Sequence, residues 1–277
     1  MKKIKFINCY FGEWPVWFDG FLLSCKYNKN IDWLFFTDCK IPKNYPPNVK
    51  FVKCSMNYLS ELATKKVKFK VKIKRPYKFC DLKPAYGLVF EDYLRNYDFW
   101  GMCDIDVIFG DIKKFVTDDM LDKYDVISSR KENIAGHFSL FRNNDEINNI
   151  FPSLPNCEFK INQDESQILD EADMDRYFKE NKDRYKIYWD TYMLNFPSPD
   201  LCFFWDGPWY WSKGRLFVNS EEVMYLHFPK RMKDKFGVRR PAPWKKSIKS
   251  INFVYEDDVD SFYISSTSLE HTKVRKE

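Results

Sequence analysis

Apolar positions in the first forty residues follow two different periods. Residues 2–10 alternate around Ile4, Phe6 and Cys9, as a strand does, and the chain turns at Gly12. From Pro15 to Tyr27 the period lengthens, and Phe18, Phe21, Leu22 and Cys25 share one helical face. Asp32 to Thr37 is a short apolar run of the kind buried strands show, and it ends at Asp38. Strand, helix and strand in succession make a βαβ unit, and repeating that unit builds a parallel sheet. Val49 to Val52 predicts a third strand. Lys66 to Lys74 alternates strictly, which predicts a strand with Val67, Phe69, Val71 and Ile73 on one face and five lysines on the other. Pro76 to Pro84 then leads into a predicted helix over 85–95, with Asp81 as its cap and Lys83 at its N-terminus. Further strands are predicted at Tyr124–Ser128, Gly136–Asn143 and Val223–Phe228. Helices are predicted from Asn144 and across the acidic stretch 170–179.

One apolar run ends differently from the rest. Asp98-Phe99-Trp100-Gly101-Met102-Cys103 stops at Asp104-Ile105-Asp106, and Val107-Ile108-Phe109-Gly110-Asp111 follows. A buried strand that ends in two carboxylates delivers them to a sheet edge, where open α/β folds bind ligands. Paired carboxylates there make a hard oxygen site suited to Mn²⁺ or Mg²⁺. Asp-x-Asp recurs at Asp173–Asp175 and Asp258–Asp260, but neither copy follows a buried strand. An EF-hand is excluded, because Ile108 and Phe109 stand where a calcium loop needs oxygens.

Charge changes the picture more than composition does. The net charge is only +5, yet Lys65 to Lys83 holds nine basic residues against Asp81 alone, and Lys230 to Lys249 holds nine against Asp234 alone. Such stretches point to anionic partners, whether phosphates or an anionic membrane at its inner face. No helix-turn-helix, RNP-like or zinc-finger pattern accompanies them, so no nucleic acid is expected. Eight scattered cysteines without a C-x-x-C pair read as reduced thiols of a cytoplasmic protein. The 19% aromatic share implies a dense interior and a surface able to stack on sugar rings.

Two further signals join the carboxylates. His227, one of three histidines, ends a predicted strand just before Pro229-Lys230-Arg231-Met232-Lys233. Asp164 and Glu165 are adjacent acids at a predicted helix start, and Asp38 lies at a strand's C-terminal end, where a nucleoside could bond. An ion shared by Asp106 and His227 would require their ligand atoms to meet across the 121 positions between them.

The strand-borne Asp104-Ile105-Asp106, the strand over 136–143 and the His227-x5-Lys233 spacing resemble the GT-A nucleotide-sugar glycosyltransferases. The His-x5-Lys pair is similar to that of the glycogenin and lipopolysaccharide galactosyltransferase family, with Lys230 standing where that family has glycine. Residues 76–87 together with 103–111 look most like a group of bacterial polysaccharide-type transferases. The resemblance implies an α/β, GT-A (Rossmann-like) fold with a mixed, mainly parallel sheet flanked by helices. It implies a catalytic domain over 1–235, followed by a basic and polar extension over 236–277. The implied activity is metal-dependent transfer of a sugar from a nucleotide diphosphate donor to a glycan or lipid-linked acceptor, in bacterial surface polysaccharide synthesis. Asp104, Asp106 and His227 would then hold Mn²⁺ or Mg²⁺, and Asp38, Lys83, Asp104, Lys230 and Lys233 would bind the nucleotide-sugar. Asp164 or Glu165 is the expected base if the reaction inverts. The alternatives are a nucleotidyltransferase or a non-catalytic carbohydrate- or lipid-binding module.

Overall fold

A computed structural model describes residues 1–189, 209–218, 220–227, 231–233, 239–241, 249–255, 257, 259–265 and 268–271. Its centre is a seven-stranded sheet in the order β3-β2-β1-β4-β7-β6-β8. These strands are β1 (Ile4–Tyr10), β2 (Ile31–Thr37), β3 (Val49–Lys53), β4 (Phe99–Cys103), β6 (Val126–Ser128), β7 (Phe138–Arg142) and β8 (Ile187–Tyr188). Only β7 runs against the rest, pairing antiparallel with β4 and β6. The chain is therefore α/β with a mixed, mainly parallel sheet.

Both faces of the sheet are covered, which is why its strands read as nearly continuous apolar runs. On one face Ile4, Phe6, Trp33 and Phe35 pack with α1 (Phe18–Tyr27); on the other, Ile7, Phe36, Trp100 and Met102 pack beneath α2 (Met56–Val67) and the segments after it. Gly101 is required by this packing. A Cβ there would lie 2.4 Å from the Phe6 ring and 2.8 Å from Leu140.

The lysine alternation does not make a strand. Ser55 caps α2, which runs to Val67, and Lys68 closes it in the left-handed region at φ 67°. Residues 68–74 then run without sheet partners. Val71 and Ile73 are still buried and Lys68, Lys70, Lys72 and Lys74 exposed, so the two-residue period reported burial correctly. Side chains replace the ladder. Val71 N–H donates to Thr64 Oγ1, Ile73 N–H to Ser60 Oγ and Lys72 N–H to Asn162 Oδ1, while Asn162 Nδ2 donates to the Lys70 carbonyl. The helix expected over 85–95 is likewise broken. It consists of a 3₁₀ segment Pro76–Ala85 and short turns Tyr86–Val89 and Glu91–Leu94, and Asp81 caps none of them.

A second sheet packs against α1 and the chain around Ile108 and Phe109. Its order is β11-β10-β9-β16-β17-β15, from β9 (Trp209–Ser212), β10 (Arg215–Val218), β11 (Glu221–Val223), β15 (Ser250–Ile251), β16 (Ser261–Ile264) and β17 (Ser268–Glu270). Trp209, Trp211, Phe262 and Leu269 of this sheet share a core with Leu23 and Ile108. A boundary at 235/236 would cut through it, since β9 from before that point pairs antiparallel with β16 from after it. The strands after 235 are two to four residues long, too short to register as period-two runs. A pair β13 (Arg231–Lys233) and β14 (Arg239–Pro241) lies between the two groups. Among the described residues no helix is long and apolar enough to cross a membrane, and the seven described cysteines are free thiols.

Candidate metal centre

β4 ends at Cys103, and the chain turns through Asp104-Ile105-Asp106 before the short strand β5 (Val107–Phe109). The turn is fixed at its middle: Trp17 Nε1 donates to the Ile105 carbonyl at 3.0 Å. β12 (Tyr225–His227) pairs antiparallel with β5, with Tyr225 opposite Phe109, Leu226 opposite Ile108 and His227 opposite Val107. That register delivers His227 next to Asp106.

His227 Nε2 lies 3.7 Å from Asp106 Oδ1 and 3.8 Å from Asp104 Oδ2. One ligand atom from each of the three residues falls within 4.8 Å of the others. Around an ion with bonds near 2.1 Å, adjacent ligand atoms are about 3.0 Å apart and opposite ones about 4.2 Å. The two histidine–carboxylate separations sit between these, and two carboxylates with one imidazole are a donor set that a divalent cation such as Mn²⁺ accepts. The residues fit a divalent cation.

The imidazole is held from behind. His137, itself buried, stacks on His227 with ring centroids 4.2 Å apart and planes 13° apart. His137 Nε2 hydrogen-bonds the Tyr225 hydroxyl at 2.7 Å, and that hydroxyl meets Ser129 Oγ at 2.6 Å. Burial, only partly opposed by the Asp104 charge, pushes His227 down to about 4, so its ring is neutral and its lone pair available near neutral pH.

Lys83 closes the other side. Its Nζ donates to Asp104 Oδ1 at 2.5 Å and to the Gly136 carbonyl at 2.8 Å, and lies 3.7 Å from Asp170 Oδ2. Burial alone would depress this ammonium, but the charges of Asp104 and Asp170 hold it well above its usual value. Lys83 is thus not at a regular helix start; it stands buried behind Asp104.

Asp170 escaped sequence reading. It lies in a π-helical turn, Leu169–Asp173, within a run of acids whose composition suggests only helix-dipole residues. Its neighbours show what distinguishes it. Asp173 pairs with Lys160, Asp175 accepts from Ile134 N–H and Glu171 accepts from Gly136 N–H, whereas Asp170 is buried against Lys83. A Cβ on Gly136 would lie 2.7 Å from Asp170 Oδ2, so the glycine makes room for the carboxylate. Burial, against the opposing pull of Lys83, raises Asp170 to about 7. The turn is set by a buried clamp. Lys78 Nζ donates to Asp81 Oδ2 at 2.6 Å and to the carbonyls of Lys160 and Glu165, while Asp81 accepts from Ser166 Oγ, Gln167 N–H and Leu169 N–H. The β-branched Ile168, at the start of the turn, sits at φ 56°.

Three of the other expected site residues make their hydrogen bonds and ion pairs elsewhere. Asp164 and Glu165 are exposed and paired with Lys74 and Arg75 at 2.7 Å each. Asp38, exposed at the C-terminal end of β2, accepts from Gly12 N–H at 2.7 Å, and Lys53 Nζ donates to its carbonyl. Lys230 lies outside the described residues, and Lys233 ends the short strand β13. No curated protein matches the chain. Residues 6–254, spanning the first sheet, the carboxylate turn and β12, match the family described as Family of unknown function (DUF6625), and the chain belongs to it.

Proposed function

We propose that this chain is a metal-dependent glycosyltransferase of the GT-A fold. It would move a sugar from a nucleotide diphosphate donor to a glycan or lipid-linked acceptor. The observation that carries the reading is the convergence of Asp104, Asp106 and His227 at the C-terminal edge of a mainly parallel sheet, with His227 brought there by the β5–β12 pairing. The strand order, with β7 alone reversed next to β4, supports the GT-A assignment.

In this reading Asp104, Asp106 and His227 hold Mn²⁺ or Mg²⁺. When bound, the cation supplies positive charge against the diphosphate of the donor. Lys83 fixes the rotamer of Asp104 through its short hydrogen bond and neutralises part of the charge of two crowded carboxylates. His137, held by the Tyr225 hydroxyl, packs its ring face on His227 and so orients it. Lys233, six positions after His227, binds the diphosphate. Asp170, buried beside Lys83 near Asp104, joins the exposed Asp164 and Glu165 as a candidate to accept a proton or hydrogen bond from a sugar hydroxyl.

Nucleotide-sugars screened by thermal shift with and without Mn²⁺ test the proposal. A true donor at about 100 times its dissociation constant stabilises the protein by about 2.7 kcal/mol. Asp106→Asn and His227→Ala should fold yet lose the Mn²⁺-dependent part of that shift, because each removes a ligand. Equal Mn²⁺-dependent shifts in wild type and both variants would sink the metal assignment. Donor binding without turnover, whatever acceptor is supplied, would favour a binding module instead.

A further inference from the structure

The lysines of residues 65–74 lost their simplest explanation when the segment proved not to be a strand. Lysines commonly shield a sheet edge, but there is no sheet edge here to shield. The backbone is instead tied to Ser60, Thr64 and Asn162, and Val71 and Ile73 are sunk in the core. The result is a cluster of exposed lysines on a backbone held in place, Lys65 at the end of α2, Lys68 at its left-handed cap, and Lys70 and Lys72 on the segment tied to Asn162.

Some of this charge is already matched. Lys66 pairs with Glu91 and Asp92, Lys74 with Asp164, and Arg75 with Glu165. Lys65, Lys68, Lys70 and Lys72 are exposed and have no carboxylate at ion-pair distance among the described residues. Beside the cluster is an exposed apolar group. Phe159 is 66% exposed, one helical turn before Asn162, whose side chain holds both Lys70 and Lys72. The segment also leads to the metal centre: Arg75 precedes the 3₁₀ segment that carries Lys83, and its partner Glu165 precedes the clamp-held turn with Asp170.

We propose that Lys65, Lys68, Lys70 and Lys72, with Phe159 as an apolar foot, dock this protein on an anionic lipid surface and so present the metal centre to an acceptor held in that surface. The acceptor half of the statement rests on the proposed function; the docking half stands on the lysine cluster alone. Each lysine near an anionic bilayer contributes about fivefold to partitioning, so neutralising three costs roughly 100-fold. An inserted phenylalanine adds a contribution that a soluble polyanion would not give.

The full-length chain is pelleted with vesicles of phosphatidylcholine alone or with 30% phosphatidylglycerol, at about 0.1 M salt. Wild type should bind only the anionic vesicles. K68Q/K70Q/K72Q should bind about 100-fold more weakly, and Phe159→Ser several-fold more weakly. Equal pelleting with both vesicle types, or a triple variant indistinguishable from wild type, overturns the proposal. So does a lysine-dependent interaction that ignores Phe159 and is matched by soluble polyphosphate, which would assign the cluster to a dissolved polyanion. The triple variant should retain the Mn²⁺-dependent donor shift, and Asp106→Asn should retain vesicle binding, so each reading fails separately.

Discussion

Lys78→Met removes the ammonium from the buried clamp while keeping most of the side chain's length. Lys78 is 2% exposed and Asp81 fully buried, so neither can turn to water. In the variant Asp81 keeps three neutral donors, Ser166 Oγ at 3.1 Å, Gln167 N–H at 2.8 Å and Leu169 N–H at 3.1 Å. It loses its counter-charge, and the carbonyls of Lys160 and Glu165 lose the donor at 2.8 and 3.0 Å. Breaking one side of a buried pair typically costs about 3–5 kcal/mol, and three surviving donors place this case near 3. With a urea slope of about 3 kcal/mol per molar, the unfolding midpoint should fall by about 1 M. The cause is the stranded carboxylate, so adding Asp81→Asn to Lys78→Met should restore at least ~1 kcal/mol. The reasoning is refuted if Lys78→Met costs less than ~1 kcal/mol, or if the double variant is no more stable than the single one.

Two further substitutions probe the turn that the clamp supports. Asp170 titrates near 7 in the folded protein against 3.8 in the unfolded chain, so the folded form holds its proton more tightly. Its stabilising contribution is therefore full below about pH 4 and lost as pH rises through 7, as much as about 4 kcal/mol in all. Asp170→Asn should flatten that part of the pH dependence and gain on wild type between pH 5 and pH 8 in urea titrations; parallel curves would count against it. Gly136→Ala would press a methyl group against Asp170 Oδ2 and Glu171. It should cost about 1–3 kcal/mol by thermal unfolding, and an unchanged midpoint would show that the turn yields freely.

Where the sequence was legible, the signal was local and strong. β1, α1 and β2 follow from apolar period alone, and the carboxylate turn followed from a buried run stopping at two charges. His227 was singled out by its rarity and its place before a basic cluster. Its partnership with Asp106, however, came from a resemblance rather than from anything in the intervening chain, and the β5–β12 register supplies the physical cause. The lysine segment misled because alternating burial is shared by strands and by extended chain whose hydrogen bonds go to side chains. Period reports which side is buried; it does not report who accepts the N–H groups. Asp170 was invisible for a related reason. Four acids in six residues look alike until Lys83, 87 positions earlier, lies beside one of them.

The three-residue ladder between β5 and β12 also ties together parts of the chain that lie far apart in sequence. Bringing His227 to Asp106 closes a loop of 121 residues, a contact of very high order whose entropic cost must be met before any ligand geometry exists. Asp104 and Asp106 come just after β4 of the first sheet, and His227 comes just after β11 of the second. A cation bridging them would bind only when β12 is paired with β5, so its binding free energy would be added to that pairing by mass action. The ion would then act as a rivet between two parts of the chain, and the cohesion of this protein would depend on how much free metal surrounds it.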